Sequence, residues 1–224
     1  MATRLALIPS PFVGVGSWAA MDAIMPEATT VDYGAVGGPH SYDGVARQVI
    51  AQVDAQVWLA VLHSGAGGFA PALAAIARNL TGFIFIDAVL PYPGRSWLEN
   101  APTALAAQLR QVRDNGLLER WNEWFSDDIA PDLVSDPHFR SAFNPELPRV
   151  PFSFLEAASP ADGRWESVPT VYLQLSPLYA EEAERARQRG WRVRVSWRHC
   201  ITMASHPEAV AVLLRESARI LGSG

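Results

Sequence analysis

A chain of 224 residues that is 49% hydrophobic can bury one sizeable core, and no stretch reaches the ~18–20 uninterrupted apolar residues that a membrane span needs. With a net charge of −5 and no basic stripe, it gives no reason to expect nucleic acid or an anionic membrane as partner, and a small organic molecule is the expected ligand. Its single cysteine, Cys200, excludes an internal disulfide framework and a metal site built from several thiolates, and it suits a reducing, cytoplasmic setting.

Arg4–Ile8 reads as a buried strand, and Pro9 and Pro11 interrupt the apolar stretch that a signal peptide would require. After the loop 9–17 a helix is expected, then a strand over 29–33. Helical spacing of apolar residues follows over 45–53. Residues 57–62 form an apolar run with the character of a strand buried on both faces. The run enters His63-Ser64-Gly65-Ala66-Gly67-Gly68, and 71–80 has the residue types of a helix.

Ser64 therefore sits at a strand-to-helix hinge. Such an elbow exposes a serine oxygen and aims the N–H groups of the new helix at developing negative charge. The usual pattern is G-x-S-x-G; here Leu62 and Ala66 occupy the outer positions. A Gly-rich connection with an incidental serine is the competing reading.

Another apolar strand is expected over 82–86, ending at Asp87. The strand and helix alternation argues for an open parallel sheet with helices on both faces, with ligands at the carboxyl ends of its strands, so that Ser64 and Asp87 should lie close together. From 91 to 168 the alternation stops. Helices are expected over 104–113 and 117–125, and the aromatic-rich segment is read as a helical lid or a plain packing layer within one domain spanning 1–224. Strand and helix resume at 170–175 and 180–189, with Gly190 as a helix cap. A last strand covers 191–197, then a loop 198–204. Ser205-His206-Pro207-Glu208 has the form of a capping box opening the final helix.

A serine hydroxyl needs a base within reach and a third group to orient that base; in chain order the candidates are Ser64, Asp87 and His199. The segments VLHSGAGG, FIFIDAVLP, RQRGWRV and HCITMASHPEAVAVLL together resemble the α/β-hydrolase superfamily. The resemblance implies that Ser64 attacks a carbonyl, His199 takes its proton and Asp87 steadies the imidazolium. It places the acid at Asp87 because the later strand ends in Ser176-Pro177, without a carboxylate. Counted back from Met203 and Pro207, the expected histidine position falls on Cys200, one residue after His199, and His206 stands as a fallback. His63 reads as a core histidine; His40 and His138 carry no motif.

The oxyanion would be met by the N–H of Gly65 and by one from the loop after the first strand. Pro9 and Pro11 lack an N–H, which leaves Phe12, then Val13. The expected activity is a cofactor-independent serine hydrolase acting on an ester, thioester or lactone, with no metal. The alternatives are a lyase, cyclase or isomerase acting on a natural-product intermediate, and a catalytically inactive binding module.

Overall fold

The computed structural model describes residues 4–34, 41–53, 57–124, 147–196 and 202–222. Within these, Arg4–Ile8 (β1), Ala28–Thr30 (β2), Trp58–Ser64 (β3), Leu80–Ala88 (β4), Thr170–Gln174 (β7) and Arg192–Val195 (β8) form one sheet of order β2-β1-β3-β4-β7-β8. Every pairing in it is parallel. Side chains alternate between its two faces, as the pleat requires. Ala6, Ile8, Ala60, Leu62, Phe83, Phe85 and Tyr172 belong to one buried cluster, while Leu5, Leu7, Leu59, Val61, Ile84, Ile86 and Leu173 belong to another.

Helices cover both faces. The first cluster is closed by Tyr42–Gln52 (α1), Ala70–Ile76 (α2) and Ala180–Gln188 (α6), and the second by the 3-10 segment Val15–Met21, Thr202–Ser205 (α7) and Pro207–Gly222 (α8). Ser41 caps α1 by accepting the Gly44 N–H at 3.0 Å. Gly190 does end α6: its φ is +75°, its N–H donates to Arg187 O, and the Trp191 N–H reaches Ala186 O at 3.1 Å, the paired bonds of a Schellman motif.

The sheet order reverses beside β1, whose sequence neighbours β2 and β3 flank it on opposite sides. Loops leaving β1 and β3 at their carboxyl ends therefore part there, the place where open α/β sheets bind ligands.

Three local expectations are corrected. The strand expected over 29–33 is shorter and begins earlier, at Ala28–Thr30. Residues 198–204 were expected to be a loop, yet Thr202–Ser205 is helical; the stretch 197–201 lies outside the described residues. The helix expected over 117–125 is replaced by a two-stranded antiparallel ribbon, Arg113–Asp114 (β5) with Leu117–Leu118 (β6), followed by a 3-10 turn at Trp121–Glu123. Asn115 and Gly116, at φ +50° and +78°, form the two-residue turn that joins them. Left-handed φ at both central residues matches the right-handed twist of a hairpin, and this local preference defeats the helical spacing of Leu117, Leu118, Trp121 and Trp124.

The described parts of segment 91–168 contain Trp97–Asn100 (α3), Thr103–Gln111 (α4) and Phe152–Glu156 (α5). Trp97 and Trp124 both meet Phe12 edge-on, with ring centroids 5.3 and 5.0 Å away, so this segment packs on the loop that follows β1.

Candidate active site

Ser64 is the last residue of β3 and is half-buried. Its φ of +53° and ψ of −121° lie where a residue with a Cβ is strained, and the chain turns there into the 3-10 segment Gly65–Phe69 and then α2. The glycines after it make the turn possible. A Cβ on Gly67 would stand 1.8 Å from the carbonyl oxygen of Val89, one on Gly68 2.6 Å from the Tyr92 hydroxyl, and one on Gly65 2.9 Å from Phe12 Cε2. Smallness is required here at Gly65, Gly67 and Gly68. Leu62 and Ala66 are fully buried in the first cluster without closing the elbow.

Asp87 lies one strand over. Between β3 and β4 the register runs from His63 opposite Ile86 to Ser64 opposite Ala88, so Asp87 is an extra residue bulged out of the ladder, at φ +39°. The Tyr172 hydroxyl on β7 secures the bulge by donating to Ala88 O at 2.7 Å and accepting from Ala88 N–H at 3.2 Å. The Asp87 carboxylate turns toward the end of β7, where Oδ1 accepts the N–H groups of Leu175 at 2.6 Å and Ser176 at 3.2 Å. Oδ2 is buried with no hydrogen-bond partner among the described residues. Burial raises the Asp87 pKa from 3.8 to about 6, an effect only partly offset by the Ser176 side chain and the two amides.

Phe12 and Gly65 are in contact, as the close approach of a Gly65 Cβ to the Phe12 ring makes plain. Ser10 organises this loop. The N–H groups of Val13 and Gly14 donate to Ser10 O at 3.2 and 3.0 Å, whereas the Phe12 N–H makes only a long 3.4 Å contact with Ser10 Oγ. Of the three amides, the one at Phe12 is the least firmly engaged.

Among the histidines, His63 is buried with its ring edge-on to Trp18, and His206 is exposed with Nδ1 2.9 Å from Ser205 Oγ. His40, His138, His199 and Cys200 lie outside the described residues.

Sequence reasoning missed one neighbour of the serine. The Tyr179 hydroxyl, from the 3-10 turn Pro177–Tyr179 after β7, is 2.8 Å from Ser64 Oγ. Its position just beyond the carboxyl end of a parallel strand was the available signal. Among the described residues no cluster of three His, Cys, Asp or Glu side chains is arranged to hold a metal ion, and no helix is long and apolar enough to cross a membrane.

No protein-family model matches the chain, and no curated protein matches it by sequence. Solved structures do match over nearly the full length. An extracellular alpha/beta-hydrolase from a Paenibacillus species, described as sharing structural and functional homology with tobacco salicylic acid binding protein 2, is 17% identical with a TM-score of 0.80, over 96% of this chain and 99% of that one. A pyrethroid hydrolase from Sphingobium faniae is 18% identical with a TM-score of 0.75, over 98% of each chain. A variant of tomato methylketone synthase I complexed with beta-ketoheptanoate is 16% identical with a TM-score of 0.70, over 99% of this chain and all of that one. The chain has the α/β-hydrolase fold.

Proposed function

We propose that this α/β-hydrolase-fold chain is a serine hydrolase that cleaves an ester, thioester or lactone of a small to medium hydrophobic organic substrate through an acyl-enzyme. The observation that carries the reading is the backbone of Ser64, at φ +53°. Strain of this kind costs about 1–3 kcal/mol and persists where the surroundings over-determine it, typically at reactive sites. Several of the similar structures being hydrolases supports the same reading.

In the proposed reaction Ser64 Oγ attacks the acyl carbon as its proton passes to the imidazole of His199. Asp87 Oδ2 accepts the other ring N–H. That pairing gives a donor to the Asp87 oxygen that has no partner among the described residues, and it lets the negative charge of Asp87 offset the imidazolium. The N–H groups of Gly65 and Phe12 meet the oxyanion, a contribution of about 3–4 kcal/mol per donor where such donors have been removed from other enzymes. The alcohol or thiol departs with the proton from His199, and water repeats the sequence on the acyl-enzyme. Phe12, with Trp97 and Trp124 packed on it, gives the site an apolar wall suited to a hydrophobic acyl group.

A fluorophosphonate probe tests the proposal directly. Mass spectrometry should find the adduct on Ser64 and none in Ser64→Ala; folded wild-type protein left unlabelled overturns the reading. A second reading, non-hydrolytic lyase, cyclase or isomerase chemistry, is favoured by the methylketone synthase among the similar structures. Turnover in water enriched in oxygen-18 separates the two, because only hydrolysis places solvent oxygen in the product acid.

A further inference from the structure

Resting on the serine-hydrolase reading, we propose that Tyr179 is a further catalytic residue: its hydroxyl donates to Ser64 Oγ in the free protein and to the leaving-group oxygen once Oγ has bonded the acyl carbon. The two hydroxyls are 2.8 Å apart although 115 residues separate them in the chain. Tyr179 reaches the serine from the carboxyl end of β7, which lies beyond β4 from β3, while Phe12 and Gly65 stand on the β1 side. Ser64 Oγ thus has its oxyanion donors on one flank and a phenol on the other. On this proposal the departing group lies on that second flank.

Direction follows from acidity. A phenol, with a pKa near 10, is a better donor than an alkyl hydroxyl, and the proposed direction, from Tyr179 to Ser64, leaves the Ser64 proton available to the base. Glu182 lies three residues beyond Tyr179 in α6, with Oε2 accepting the Leu90 N–H at 3.2 Å. The adjacent Tyr172 hydroxyl is held protonated by burial first and then by Asp87, Tyr179 and Glu182, so that further negative charge in this corner is disfavoured.

Oγ and the leaving-group oxygen share one carbon in the tetrahedral intermediate, and a donor in reach of the first comes into reach of the second by a small swing of the ring. The Oγ–C bond forms as the Ser64 proton goes to His199. Then the bond from carbon to the leaving oxygen breaks, its electron pair staying on that oxygen, which takes the proton from the imidazolium. Tyr179 keeps its own proton and supplies a hydrogen bond as charge develops.

The test compares ethyl and 4-nitrophenyl esters of one acid in wild type and Tyr179→Phe, with fluorophosphonate labelling of Ser64 in both proteins. An alkoxide leaving group needs the donor far more than a nitrophenolate does. For Tyr179→Phe, kcat/KM should fall about ten- to a hundredfold on the ethyl ester and stay within about threefold on the nitrophenyl ester, with labelling retained. Equal losses on both esters, or none, with Ser64 labelled in both proteins, overturn the role of Tyr179 alone. A wild type that is folded but neither labelled nor active overturns the hydrolase reading and this proposal with it. Should Tyr179→Phe fail to fold, 3-fluorotyrosine at position 179 keeps the shape and strengthens the donor; the ethyl to nitrophenyl rate ratio should then rise, and an unchanged ratio refutes the proposal.

Discussion

At the level of single residues, Asp87 has the clearest consequence for pH. Its carboxyl is buried, and its pKa moves from 3.8 to about 6 on folding. Because the folded protein holds this proton more tightly than the unfolded chain does, stability contributed at this position is fully present below pH 4 and is lost as pH rises through about 6. The loss amounts to about 3 kcal/mol at 1.36 kcal/mol per unit. Asp87→Asn keeps an acceptor for the Leu175 and Ser176 amides and removes the charge. Chemical denaturation at pH 4 and pH 7 should show the wild type losing about 2–3 kcal/mol relative to Asp87→Asn over that interval, and a constant difference would contradict the assignment. On the proposed mechanism, the same variant should lose about 10⁴-fold in ester hydrolysis at pH 8, the scale known for such a replacement in serine proteases.

Among the elements, the elbow and the bulge depend on each other. The Val89 N–H donates to Ser64 O at 3.1 Å, and Gly67 sits so close to Val89 O that no Cβ fits between them. Gly67→Ala should therefore destabilise the fold by more than about 3 kcal/mol, since backbone and not a flexible side chain must move. Thermal denaturation beside the control Gly163→Ala, where a Cβ meets nothing within 4 Å, checks this. Much of this level was legible in the sequence. The apolar run up to Ser64 and the segment ending at Asp87 identify two adjacent strands because burial on both faces demands continuous hydrophobicity. The bulge at Asp87 was not legible, since it depends on how β4 pairs with β3. Nor was Tyr179, which meets Ser64 only after β7 has crossed to the far side of β4. Asn115-Gly116 did carry a legible turn signal, and helical spacing around it proved the weaker guide.

For the molecule as a whole, β1, β3, β4 and β7 are sealed between two apolar layers, while β8 has exposed or half-exposed residues throughout and β2 is three half-buried residues long. Native-state hydrogen exchange should find β3 and β4 opening only with global unfolding, and β8 exchanging at least about tenfold faster. Equal protection in all six strands would show that the sheet opens as one unit. The fold was readable because alternating strand and helix patterns leave few topologies open.

The bulge at Asp87 also divides the chain into parts that can and cannot be remodelled. Ser64 and Asp87 share one interlocked piece of backbone, 63–68 against 86–89, in which a single insertion or deletion would disengage both at once. An engineer seeking new selectivity should leave that joint, Ser10 and Tyr179 untouched and diversify exposed rim positions such as Leu178.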